Sequence, residues 1–124
     1  MIRHGVAPFL ECSSRGDARF SAFYALVTVN GVTRSIESHY QAYKRFDDGS
    51  TGLHWRAAKG RRAVNKEAAA EFYALLWDLY ISRNPDLLDV LRAATGLSDK
   101  YGKPGHCCQA TELWRIKTQD KEEL

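Results

Sequence analysis

Apolar residues recur at Phe72, Leu75, Leu76, Leu79 and Tyr80, spaced i, i+3, i+4, i+7 and i+8. This stripe predicts a helix from an Asn65 cap through about Ser82, with that face toward the core. A second helix is punctuated by Asn84 as cap, Pro85 at its first position and Asp86 in its first turn, and it stops at Gly96. It carries Leu87, Leu88, Val90, Leu91 and Ala94, and Leu76, Leu79, Leu87 and Leu91 are expected where the two helices meet. Upstream, Phe20 to Val29 is rich in aromatic and β-branched residues and runs into Asn30-Gly31, the pair a type I′ turn prefers. With Val32-Thr33-Arg34 as return strand, this predicts a hairpin at about Tyr24 to Thr33.

Ser35 then caps a helix expected to reach about Phe46. That helix has two stripes. Ile36, Tyr40 and Tyr43 form one; Glu37, Gln41 and Lys44 form the other, rotated by about 100°. If one stripe enters the core, the other sits at its edge. Asp47 to Gly52 is a loop by composition, and Leu53 to Lys59 a short helix closed by Gly60. Ser98 to Gln109 reads as a Gly/Pro-punctuated loop. Ala110 to Lys117, with Leu113, Trp114 and Ile116, is helix or strand, and Thr118 to Leu124 is a charged tail expected to fray. The fold class expected is mainly α (α+β): a single compact helical domain over residues 1–124, with a small antiparallel β-hairpin element.

Length and charge narrow the partners. The 124 residues suffice for one domain with a sizeable core. A formal charge of +3 permits an anionic ligand without marking a nucleic-acid binder. No apolar run approaches the roughly 18 residues of a membrane span, and Met1 to Val6 has no signal-peptide apolar region, so no membrane partner and a cytoplasmic protein are expected. The three cysteines, Cys12, Cys107 and Cys108, are odd in number and two are adjacent, which argues against a disulfide framework. Nor do they have the C-x-x-C spacing of a zinc site, so no metal is expected.

Glu37 is the leading candidate for chemistry, since a carboxylate on a rigid helix beside packed aromatics suits acid–base work. In the first turn it would also favour the helix dipole without any other role. Gln41 and Lys44 share its face and would otherwise be a solvated surface. Lys59, Arg61 and Arg62 surround Gly60 and could hold a phosphate or form a plain basic turn. His39 and His54 read as packed or surface histidines, Trp55 and Trp77 as core, and Asp99 as a turn residue, unless a ligand claims them.

Phe20-Ser21-Ala22-Phe23, then Val29-Asn30-Gly31, then Ile36-Glu37-Ser38-His39-Tyr40-Gln41-Ala42-Tyr43-Lys44 resembles the NADAR family (NAD- and ADP-ribose-associated proteins). That family reads Phe-Ser-Asn-Phe, a Gly-containing hairpin and Ser-Glu-His-Tyr-x-Gln-Ala-x-Lys. Ala57 to Arg61 is similar to its Ala-x-x-x-Gly-Arg segment, Leu76 to Thr95 to its paired helices, Ser98 to Gly102 to its Asp-x-x-Trp-Gly motif, and Leu113 to Lys117 to its terminal Leu-Met-x-x-Arg. The resemblance spans about residues 16 to 117 and is that of a shortened, divergent member. Ser38 intrudes between Glu37 and His39, Ala22 replaces Asn, Tyr101 replaces Trp, and the family's Asn-x-Leu-Gly segment is absent.

The resemblance implies an N-glycosidase that cleaves a ribosyl–base bond in an ADP-ribose-like or ribosylamino-nucleotide substrate, with no cofactor. It implies Glu37 as catalytic carboxylate, with Gln41, Lys44 and Asp99 as neighbours. Cleaving such a bond develops positive charge on the sugar, which a fixed carboxylate stabilises or uses to orient water. Glu37 and Asp99 are the catalytic candidates, and Gln41 or Asp99 would hold ribose hydroxyls. Lys44, Lys59 and Arg61 would hold phosphate, and Tyr40, Trp55 and Tyr101 would stack on the base. Expected partners are a small nucleotide-like ligand, ADP-ribose or a ribosyl phosphate, and ADP-ribosylated nucleic acid. The alternative is a non-catalytic protein that senses or sequesters an ADP-ribose derivative. A third class is an interaction protein using its basic turn and tail.

Overall fold

Asn30 takes a left-handed conformation (φ 50°) and Gly31 follows at φ 78°, the backbone that a two-residue hairpin turn requires. They join strand β3 (Leu26–Val29) to strand β4 (Val32–Ser35) in the order expected. The computed structural model describes residues 1–119, so most of the charged tail lies outside the described residues. The remaining elements are β1 (Ile2–Gly5), β2 (Phe9–Glu11), α1 (Ile36–Tyr43), α2 (Trp55–Ala58), α3 (Lys66–Ser82), α4 (Pro85–Ala93), β5 (Gly96–Asp99) and α5 (Gln109–Thr118). The architecture is mixed α+β: five helices among the described residues, a two-stranded hairpin and a three-stranded sheet.

The three-stranded sheet is a correction to the expected topology. β5 lies at its centre, antiparallel to β1 and parallel to β2. Ser98 and Asp99, read as loop, are therefore the end of a strand buried along its whole length. Gly-Leu-Ser-Asp has no β-branched residue, so its strand state comes from pairing on both edges rather than from propensity. Gly96 is required there: a Cβ would stand 2.4 Å from the Val6 carbonyl oxygen and 2.7 Å from the Phe9 ring.

Other boundaries shift for local reasons. Ahead of the hairpin, Ala18–Phe20 forms a 3₁₀ turn capped by Asp17, which accepts from the Arg19 N–H. α1 ends at Tyr43 instead of Phe46, because Lys44 turns extended and Asn65 clasps the chain there. Asn65 Oδ1 accepts from the Arg45 N–H at 2.8 Å and its Nδ2 donates to the Tyr43 carbonyl at 3.0 Å. The expected cap of α3 thus serves the end of α1. The 110–117 segment resolves as helix.

The core lies between α3, α4, α5 and the sheet, around Leu76, Trp77, Leu91, Leu97 and Leu113. α3 buries Ala69, Tyr73, Leu76, Trp77, Tyr80 and Ile81, a face rotated from the expected stripe. Leu75 is 51% exposed, and Leu79 is only partly buried. Leu76, Leu87 and Leu91 are buried as expected. The cause is Trp77, whose volume claims the centre of the core and turns the helix toward itself. No helix among the described residues is long and apolar enough to cross a membrane.

Candidate functional site

α1 begins where three chain segments converge. Ser35 caps it by accepting from the Ser38 N–H at 3.1 Å. The two N–H groups left over at its start go to the preceding loop: Ile36 N–H to the Ala25 carbonyl and Glu37 N–H to the Ala22 carbonyl, both at 2.9 Å. Ala22 is held in turn by α5, since Gln109 Oε1 accepts from its N–H at 2.6 Å. All three helix-start donors therefore have fixed partners, and the position of Glu37 is set from both sides.

Ile36 packs fully into the core, and His39 is buried with its ring Nε2 2.7 Å from the Val27 carbonyl oxygen, so His39 is a packed histidine. Tyr43 lies more exposed and stacks on Phe72 at 4.4 Å. The polar stripe goes deeper than its composition suggests. Gln41 is only 4% exposed, which excludes a solvated face for it. Its Nε2 donates to Glu37 Oε1 at 2.8 Å, while its own Oε1 is buried with no partner among the described residues.

Lys44 is half-buried, with Nζ 5.0 Å from the centroid of the Tyr40 ring. Burial lowers its amine below the usual lysine range, and the Glu37 carboxylate opposes that shift. Tyr40 meets Tyr73 edge-on at 5.1 Å. Burial raises the Tyr40 phenol, as do the neighbouring Cys107 thiol and Glu37. Burial likewise raises Cys107, while Tyr40 and Lys44 act the other way. The Glu37 carboxylate, the Gln41 amide, the Lys44 amine, the Tyr40 phenol and the Cys107 thiol thus share one neighbourhood, and the Glu112 carboxylate also acts on Cys107. The sequence marks Cys107 only as one of two adjacent thiols, because nothing in a Cys-Cys pair before a helix shows which residue it will face.

Trp55 opens α2 and meets Phe23 edge-on at 5.5 Å, with Lys59 Nζ 5.8 Å from both rings and the Arg56 guanidinium 5.2 Å from Trp55. Phe23 follows Ala22 directly and is 45% exposed. This aromatic–cation cluster includes two expected ligand residues, Trp55 and Lys59, and adds Phe23. Two hollows share α1 as wall. One, of about 260 Å³, is lined by Tyr40, Lys66, Cys107, Cys108, Thr111 and Glu112. The other, about 430 Å³ and more open, is lined by Arg34, Ser35, Ser38, His54 and Trp55. Glu37 is half-buried and lines neither hollow.

Three expected site residues fall elsewhere. Arg61 pairs with Asp48 at 3.6 Å and lies 4.0 Å over the Phe46 ring. Tyr101 is 54% exposed, and its hydroxyl accepts from Arg15 Nε at 3.1 Å. Asp99 is buried at the end of β5, where Oδ1 accepts from the Tyr101 N–H at 3.0 Å and Oδ2 from the Cys108 thiol at 3.4 Å. Burial raises its pKa, and the Tyr101 N–H, Cys108 and Gln109 oppose the rise. No hydrogen bond or ion pair joins Asp99 to Glu37 among the described residues; one link between them runs through Gln109, which accepts from the Ala22 N–H while the Ala22 carbonyl accepts from the Glu37 N–H.

Among the described residues, no three His, Cys, Asp or Glu side chains stand together as a metal-ion set. No protein-family profile matches the chain, and no curated protein matches it in sequence.

Proposed function

We propose that the chain is a NADAR-like N-glycosidase, hydrolysing the ribosyl–base bond of an ADP-ribose-like or ribosylamino-nucleotide substrate at Glu37. The observation that carries this reading is the Gln41–Glu37 hydrogen bond of 2.8 Å on a helix start whose N–H groups are all engaged. A carboxylate so held keeps its position as charge develops on the sugar, which is what electrostatic stabilisation of an oxocarbenium-like transition state needs. One Glu37 oxygen is engaged by Gln41, and the half-buried carboxylate keeps access to solvent for orienting the attacking water. Lys44 is the nearby cation for an anionic substrate. Phe23, Trp55 and Lys59 offer an aromatic face and a charge for base and phosphate.

In this reading Asp99 is a positioning residue. It holds the turn after β5 and, through Gln109, the loop that ends at Glu37. The site then has a single carboxylate in contact with ligand. That same feature favours the second reading, a protein that binds an ADP-ribose derivative without cleaving it, because the reading assigns no second acid to protonate the leaving base. Three free thiols suit a cytoplasmic setting for either.

Incubation with ADP-ribosylated guanosine or DNA, and separately with ribosylamino-pyrimidine phosphates, tests the proposal. Release of free base or sugar phosphate, followed by chromatography, is expected from one of these. Binding of ADP-ribose with no release from any of them replaces the first reading with the second.

A further inference from the structure

We propose that the open edge of β4 is a docking site for an extended acidic peptide, which adds to the hairpin as a third strand. Such docking is independent of the glycosidase reading. The two-residue turn at Asn30-Gly31 closes on the Val29–Val32 pair, so Val29 with Val32, and Val27 with Arg34, exchange the ladder hydrogen bonds. Thr33 and Ser35 take the alternate positions, where their N–H groups point away from β3. Among the described residues, no backbone group outside the hairpin meets the Thr33 or Ser35 N–H or the Thr33 carbonyl. No third strand lies beside them, since β3 and β4 form a sheet of two. The opposite edge is occupied: Arg83 Nη1 donates to the Thr28 carbonyl at 2.8 Å. The open donors and acceptor of β4 are what an added strand pairs with.

Charge selects the occupant. Arg34 is exposed and has no ion-pair partner among the described residues. The hollow of about 430 Å³ beside it is lined by Arg34, Ser35, Ser38, His54 and Trp55, and no carboxylate lines it. The Thr28 and Thr33 hydroxyls meet at 2.6 Å, which puts Leu26, Thr33 and Ser35 on one face and Val32 and Arg34 on the other. Leu26 is 60% exposed. An added strand therefore meets a cation on one face and a Thr33 methyl backed by Leu26 on the other. The sequence that suits both alternates acidic with apolar residues. A second copy of this chain suits them less. Symmetric pairing of two β4 edges sets the two Arg34 side chains opposite one another, or one pair apart on the same face, and like charges there repel.

The probe is a fluorescein-labelled heptapeptide, Glu-Val-Glu-Phe-Glu-Val-Glu, titrated with the protein and read by anisotropy. Saturable binding that weakens as salt rises is expected, with none for the counterpart carrying Lys in place of Glu. In the amide NMR spectrum, bound peptide should slow hydrogen exchange at Thr33 and Ser35. Two further peptides carry N-methyl groups on alternate amides, one on the odd and one on the even positions; only one of the two should lose binding, because a strand pairs through every second residue. Arg34→Glu should weaken binding by about tenfold or more. No saturable binding, equal binding of the Lys peptide, equal binding of both N-methyl peptides, or unchanged affinity in Arg34→Glu overturns the proposal. The peptide comparisons on wild type stand without the variant. Sedimentation at rising protein concentration reads the other occupant: a dimer that excess peptide does not dissociate assigns the edge to a second copy and overturns the proposal as well.

Discussion

Gln109 Oε1 accepts a hydrogen bond from the Ala22 N–H at 2.6 Å, across 87 positions of sequence. It ties the first turn of α5 to the loop whose next link is Glu37. Gln109 is buried, so removing its amide leaves a buried N–H without a partner. Gln109→Ala should cost about 1–3 kcal/mol in stability. Denaturant unfolding of the two proteins measures it, and coincident midpoints would remove Gln109 from the account of how the site is held.

The rotated face of α3 makes a paired prediction. Leu76 and Leu91 are fully buried, whereas Leu75 is 51% exposed. Leu76→Ala or Leu91→Ala should destabilise by about 2–5 kcal/mol, and Leu75→Ala by about 0.5 kcal/mol or less. Thermal or denaturant unfolding of all three separates the observed face from the one that spacing alone suggests.

Asp99 makes stability depend on pH in a defined sense. Its pKa is raised by burial, so the native state holds the proton more tightly than the unfolded chain does. The stability it contributes is present below the ordinary carboxylate range and is lost as pH rises through the raised value. Asp99→Asn removes that dependence while keeping an acceptor for the Tyr101 N–H. The stability of Asp99→Asn relative to wild type should therefore improve between about pH 3.5 and about pH 7. Parallel urea titrations across that range test the sign, and a relative stability that falls toward neutrality would contradict it.

Lys59 and Arg61, equivalent in sequence as a basic turn, separate in the structure. Lys59 has no ion-pair partner among the described residues and stands over Phe23 and Trp55, while Arg61 is held by Asp48 and Phe46. Lys59→Ala should weaken binding of an anionic ligand and flatten its salt dependence; Arg61→Ala should do neither. A salt titration of ADP-ribose affinity in both variants tells them apart.

Local signals in the sequence located most elements, because their causes are local. Asn30-Gly31 makes the hairpin turn, Ser35 caps α1, and Pro85 starts α4. What escaped depends on distant partners. β5 is a strand only because β1 and β2 flank it, and neither is visible from Gly-Leu-Ser-Asp. The α3 face turned because Trp77 outweighs Leu75, a matter of volume in a shared core rather than of spacing. At the site, the periodicity of α1 brought Glu37, Gln41 and Lys44 to one side. The depth of Gln41 and the arrival of Cys107 come from elements far along the chain.

The central claim concerns Glu37. Glu37→Gln preserves the side chain's shape and removes the charge that the reaction is proposed to use. Single-turnover base release, measured on whichever ribosyl substrate wild type cleaves and with ligand affinity determined alongside, is the direct test. The account predicts unchanged affinity and a rate lower by about 100-fold or more. A Glu37→Gln protein that releases base as fast as wild type contradicts it.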